Sequence, residues 1–227
     1  MSSDLQLSVG EAAARLGVSP AAVRLRIAGG ELPAVKLGRD WRLDEREVLR
    51  LARRGDRSGR PLSSAMVWAV LLLASGESSR ADRLAGAPRY RARARQWWRE
   101  HPLAENAARL RERGRRELFE AHPSELARLR NRADVQLTGA SAADAVGLVG
   151  EAQAVELYAP VAKRDPIIAE HALLDGAGNV TVRWVPDDVW RALDSAGHVA
   201  PRAAVLVDLL ESEDPRARRE AARALAS

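Results

Sequence analysis

The chain contains no cysteine, which excludes disulfides and thiolate metal sites and leaves the redox compartment unmarked. Lysine occurs only at Lys36 and Lys163, so nearly all the positive charge is arginine. Together with abundant alanine, this usage points to a GC-rich coding sequence and lowers the weight of any single arginine. Aromatic residues make up 4% of the chain. The four histidines, at 101, 122, 171 and 198, show no metal-ligand spacing. The longest apolar run, residues 65–74, is half of the roughly 20 residues a membrane helix needs. Residues 1–6 are polar, and no basic start leads into an apolar stretch. A cytoplasmic protein with no membrane contact is expected.

With 227 residues the chain is long enough for two or three small domains. Its charge is divided unevenly. Residues 1–132 carry 27 Lys+Arg against 16 Asp+Glu, a net +11, whereas residues 133–227 carry 9 against 15, a net −6. A basic first part suits a polyanion, and an acidic second part implies another task.

Residues 8–52 hold the densest set of local signals. Ser8 and Glu11 have the spacing of a capping box, followed by Ala12, Ala13 and Leu16 at helical intervals. Gly17 is placed to end that helix, and Val18 to plug the turn into the core. Ser19 is a second N-cap, with Pro20 at the first helical position. The spacing predicts a second helix over 20–28 that buries Val23 and Ile27 and turns Ala21, Ala22, Arg24 and Arg26 outward, before Gly29 and Gly30 stop it. Val35, Leu37, Trp41 and Leu43 alternate about the Gly38-Arg39-Asp40 turn and predict a two-stranded wing projecting Lys36, Arg39 and Arg42. Asp44 and Glu47 then cap a third helix carrying Val48, Leu49 and Leu51.

The segments LSVGEAAARLGVSPAAV, GELPAVKLGRDWRL and DEREVLRLA resemble the excisionase and MerR-like winged helix-turn-helix family over about one fifth of the chain. The resemblance implies that the second helix reads base edges in double-stranded DNA while the wing holds phosphates. The expected DNA-binding residues are Ser19, Ala21, Ala22, Arg24, Arg26, Lys36, Arg39 and Arg42. Family members usually carry longer polar side chains where Ala21 and Ala22 stand, so hydrogen-bonded readout there is expected to be sparse.

Residues 56–61 read as a linker. A buried apolar helix is predicted over 62–75, with Trp68 in the core. Residues 80–116 are arginine-rich, with Tyr90, Trp97 and Trp98 interleaved. They fit either a second DNA contact or a solvated helical surface balanced by Glu100, Glu105, Glu112 and Glu117. Residues 104–116 and 123–131 are predicted helical.

Beyond residue 133 strands and helices alternate: strands at 135–138, 154–158 and 179–185, and helices from 139, over 165–173, over 201–210 and over 214–225. The expected fold class is therefore α+β and mostly helical: a winged helix-turn-helix domain at 1–55, a helical middle at 56–132 and a mixed α/β domain at 133–227. The small-residue stretch 139–143 lacks P-loop spacing and its lysine, and Ser141 has no nucleophile elbow. Asp187, Asp188, Glu211, Glu213 and Asp214 read as helix caps and dipole partners rather than metal ligands. No nucleophile, base and orienter set is found, so neither catalysis nor a cofactor is expected.

The segments LTGASAADAVGL, VELYAP, NVTVRWVPDDVW and APRAAVLVDLLESEDPRARREAARAL resemble the C-terminal domain of actinobacterial abortive-infection type IV antitoxins. That resemblance implies a DNA-binding autorepressor paired with a nucleotidyltransferase-like toxin. An excisionase-like architectural factor and an effector-sensing MerR-like regulator are the alternatives. Paired half-sites would favour a homodimer.

Overall fold

A computed structural model describes residues 6–16, 19–28, 32–38, 40–53, 62–149, 153–176, 178–193 and 197–226. The chain divides into two compact units, Met1–Pro61 and Leu62–Ser227.

The first unit contains β1 (Gln6–Ser8), α1 (Val9–Leu16), α2 (Pro20–Ala28), β2 (Ala34–Leu37), β3 (Asp40–Asp44) and α3 (Glu45–Arg53). The local signals produce their elements. Ser8 N donates to Glu11 Oε2 at 2.7 Å and Glu11 N to Ser8 Oγ at 3.2 Å, closing the capping box. Ala22 N donates to Ser19 Oγ at 3.2 Å at the head of α2, and Arg46 N to Asp44 Oδ1 at 2.8 Å at the head of α3. Val9, Ala12, Ala13 and Leu16 of α1 pack with Val23, Leu32, Leu43 and Val48 in one small core. Gly17, Val18, Gly29, Gly30, Arg39 and the linker at 56–61 lie outside the described residues.

The wing forms, but its pairing corrects the expected faces. Ala34 pairs with Leu43, Val35 with Arg42, Lys36 with Trp41 and Leu37 with Asp40. Paired residues share a face and alternate along each strand. Ala34, Lys36, Trp41 and Leu43 therefore lie on the core side, and Val35, Leu37 and Arg42 on the other. Val35 and Leu37 are more than half exposed. The hairpin also gains β1, which pairs antiparallel with β3, giving the order β1-β3-β2.

The second unit runs through α4 (Ser64–Ala74), α5 (Ser78–Ala85), α6 (Pro88–Glu100), α7 (Leu103–Asn106), β4 (Arg115–Glu120), α8 (Pro123–Arg130), β5 (Gln136–Leu137), β6 (Val155–Pro160), α9 (Arg164–Glu170), β7 (Leu174–Asp175), β8 (Val180–Val185), α10 (Asp187–Leu193), α11 (Arg202–Leu209) and α12 (Pro215–Ala226). Its sheet has the order β5-β6-β8-β4-β7, with β6 and β8 parallel and the other pairings antiparallel. Phe119, Leu157, Val182 and Trp184 face α8 and α9 through Leu126, Leu129 and Ile167. Tyr158 and Val185 face the core built on α4, α10 and α11. Helices thus cover both faces, which explains why β8 is buried along nearly its whole length.

Helix α4 is apolar all round and occupies the middle of the larger core, touching α5, α6, α10 and α11. Ser63 caps it, accepting from Met66 N at 3.4 Å. Trp68 is fully buried, meets Tyr158 edge to face at 4.9 Å, and donates Nε1 to the Arg113 carbonyl at 2.7 Å.

Three expectations are corrected here. The boundary read near residue 132 does not divide the unit: α4 and α6 share a core with α10 and α11, and β4 pairs along β8. The helix expected over 104–116 is α7 followed by a 3-10 stretch, Ala107–Arg113, after which the chain turns into β4. Arginine, glutamate and leucine favour helix locally, but pairing with β8 decides the matter. The helix expected from residue 139 is two short 3-10 turns, Gly139–Ala142 and Asp144–Val146.

Candidate nucleic-acid interface

Helix α2 starts at Ser19, whose Oγ accepts from Ala22 N, and proline occupies its first position, where the missing N–H costs no hydrogen bond. Val23 is fully buried and Ile27 packs partly against the core. That anchoring turns the opposite side of α2 to solvent. Ser19, Ala21 and Arg24 are exposed, and Ala22 and Arg26 partly so. Leu25, absent from the sequence-derived set, is 73% exposed and stands one turn beyond Ala21. Its signal was its place opposite Val23, but a leucine reads as core until that place is known.

Lys36 stands over the Trp41 ring, 5.9 Å from its centroid, on the core side of the hairpin. Arg42 stands on the other side with Val35 and Leu37. The wing therefore presents its cations from two faces rather than one. Arg24, Arg26, Lys36 and Arg42 make no ion pair with a carboxylate among the described residues, whereas Arg15 pairs with Glu45. Glu11 is engaged by Ser8, whose backbone amide and hydroxyl hold its carboxyl below the usual range. Arg42 also acts on the Glu11 charge. The unit thus offers a capped helix start with small side chains behind it, and cations on α2 and the wing of which Arg24, Arg26 and Lys36 have no carboxylate partner among the described residues. That is the chemistry of a phosphate-bearing duplex.

The second unit carries a further basic surface. On α6, Ala94 and Trp97 are buried, while Arg89, Arg93, Arg99 and Trp98 are exposed. Of the carboxylates expected to balance these arginines, Glu100, Glu112 and Glu117 have other partners, and Glu105 makes no ion pair among the described residues. Glu112 pairs with Arg111 and Glu117 with Arg115 and Arg164, while Asp82 pairs with Arg95 of α6 itself. Glu100 is bonded to Gln96. Arg89, Arg93 and Arg99 have no ion pair among the described residues.

A polar cluster invisible in the sequence lies between the sheet and α11. Asp208 accepts from Arg113 Nε at 2.8 Å, Tyr158 Oη at 2.7 Å and Thr138 Oγ1 at 2.5 Å, and Arg183 Nε lies 2.9 Å away. Glu211 binds both guanidiniums, Arg113 Nη2 at 2.5 Å and Arg183 Nη2 at 2.6 Å. Glu211 is therefore an ion-pair partner, not the helix cap expected of it; Asp214 does cap α12, accepting from Arg216 N at 2.8 Å. Burial works against the Asp208 charge, but the two guanidiniums hold its pKa below the ordinary value. A groove of about 590 Å³ opens beside Glu211, lined by Arg111, Arg115, Arg116, Val161 and Pro186. Most of its positive charge is neutralised by the pairs just described.

Among the described residues no group of three or more His, Asp or Glu is placed to hold a metal ion. No helix of the described residues is long and apolar enough to cross a membrane.

Residues 7–56 match the family of helix-turn-helix domains, which implies DNA binding by the first unit. No curated protein and no solved structure matches the chain.

Proposed function

We propose that this protein is a sequence-specific transcriptional regulator that binds duplex DNA upstream of its own gene as a homodimer in the cytoplasm. It acts by binding rather than by catalysis. The observation that carries this reading is the set of cations without a carboxylate ion pair, Arg24 and Arg26 on α2 and Lys36 and Arg42 on the wing, in a unit that matches the helix-turn-helix family. Ser19, Ala21 and Ala22 allow close backbone approach there, and Arg39 extends the wing's charge by sequence. The similarity of residues 137–227 to abortive-infection type IV antitoxins supports a second task for the acidic part: opposing a toxin of the nucleotidyltransferase class. An architectural recombination factor would leave this large second unit without a role.

A footprint of the full chain on the DNA upstream of its gene, at two salt concentrations, tests the reading. The expected result is a protected, salt-sensitive site with two spaced half-sites. Absence of protection on that DNA, with random duplex bound equally well, would contradict autoregulation. The antitoxin role is checked separately by co-expression with the neighbouring open reading frame. Stable co-purification and relief of growth arrest are expected, and a neighbour that is harmless alone would contradict it.

The α6 surface gives a further expectation. If Arg89, Arg93 and Arg99 lie along the duplex, replacing all three by Gln lowers the slope of log K against log salt by about 0.9 for each arginine that meets a phosphate. An unchanged slope would assign α6 to solvent.

A further inference from the structure

The outward face of α2 carries no amide or carboxylate side chain. It carries Ala21, Ala22 and Leu25. Ala21 and Leu25 are one turn apart and Ala22 lies beside them, so the three form one apolar patch. Arg24 flanks it on one side and Arg26 on the other. A single exposed leucine is ordinary on a protein surface. Leu25 is not so placed: it lies opposite the buried Val23, at the centre of the face that a helix-turn-helix unit offers to a groove, between two cations without carboxylate partners.

In the major groove the apolar feature of a base pair is the thymine 5-methyl group, while the other edges present donors and acceptors. Alanine and leucine can satisfy no donor or acceptor, so any base edge other than a methyl would be desolvated against them without compensation. The two alanines permit close approach, and the leucine reaches further. We infer that Ala21, Ala22 and Leu25 read thymine methyl groups in the major groove, with Arg24 and Arg26 binding the phosphates or guanines that flank them. Sequence preference at the centre of each half-site then comes from apolar contact, not from paired hydrogen bonds. This inference rests on the DNA-binding reading of the first unit, which it deepens.

The test uses duplexes selected from a randomised pool by the full chain. Each thymine of the selected site is replaced in turn by deoxyuridine, which removes the methyl group and leaves the hydrogen-bonding edge intact. The expected result is enrichment of T·A pairs in the half-site centre and a rise in Kd of about 4-fold for each contacted methyl removed. Leu25→Ala, at a solvent-facing helical position, keeps the fold and should bind thymine and deoxyuridine duplexes alike at the position Leu25 contacts. Equal affinity of the unaltered protein for thymine and deoxyuridine duplexes overturns the inference while leaving DNA binding in place. A Leu25→Ala change in oligomeric state without any thymine effect overturns it in favour of a protein contact. Failure to select any duplex removes the DNA-binding reading and the inference with it.

Discussion

Replacing Asp208 by Ala is expected to cost the second unit roughly 3–5 kcal/mol, a large part of the 5–15 kcal/mol typical of a domain. The Asp208 side chain is fully buried, as is that of Arg113, and Arg183 is nearly so. Two guanidiniums and the hydroxyls of Tyr158 and Thr138 converge on this one carboxylate. Removing it leaves Glu211 alone against two buried positive charges, and leaves two buried donors without their acceptor. The penalty comes from those stranded groups rather than from the worth of the pair itself. Denaturant unfolding followed by tryptophan fluorescence measures it, since Trp68 and Trp184 are buried in this unit. A loss below about 1 kcal/mol would show that the cluster relaxes or hydrates without cost. The network also sets an acid limit. Because Asp208 titrates below its ordinary value in the folded state, its contribution is present above the ordinary carboxylate range and is lost as pH falls through the depressed value.

Glu156 has the opposite sign and gives the second large effect. Its carboxylate lies under the 3-10 turn that begins at Gly139, with Ala140 N donating to Oε1 at 3.4 Å. Gly139 has φ of 51°, and a Cβ there would stand 2.3 Å from Glu156 Oε2, so any other residue strains the turn and pushes the carboxylate aside. Burial, and then the charge of Asp208, push the Glu156 pKa from 4.5 to about 7. Between those values the folded protein holds a proton that the unfolded chain has released. Stability therefore falls as pH rises through this window and levels off above it. Glu156→Gln removes the titration while keeping an acceptor for Ala140. It is expected to stabilise the protein by roughly 1–3 kcal/mol at pH 8 and to change little at pH 5. Thermal melts across pH 5–8 check this. Parallel pH profiles for the two proteins would show that Glu156 is not the group responsible.

The parts of this fold written in short-range chemistry could be read directly. Ser8 with Glu11, Ser19 with Pro20, Asp44, Ser63 and Asp214 each place a cap within three residues of the amide they satisfy, so their helices begin where the sequence says. The β8 strand was legible from Val180, Val182 and Trp184 on one face. What escaped reading depends on distant partners. Arg115 and Arg116 have helical propensity but pair with Trp184 and Arg183 in the sheet. Arg113 meets Asp208 across 95 positions, with no local mark of either. Leu25 has the composition of a core residue and acquires its exposure only from the way Val23 anchors α2. Lys36 and Arg42 looked equivalent until the register put them on opposite faces.

The most direct test of DNA reading by the first unit is the affinity of the full chain and of an Arg24→Ala/Arg42→Ala variant for the same selected duplex, across a salt series. Unfolding of the first unit, which holds both arginines, measured alongside, guards against a folding defect. The expected result is a steep salt dependence for the unaltered protein, and for the variant a weaker affinity with a slope smaller by about 0.9 for each of the two arginines that meets a phosphate. Identical affinity and slope in the two proteins would contradict the account, in which both arginines meet the duplex.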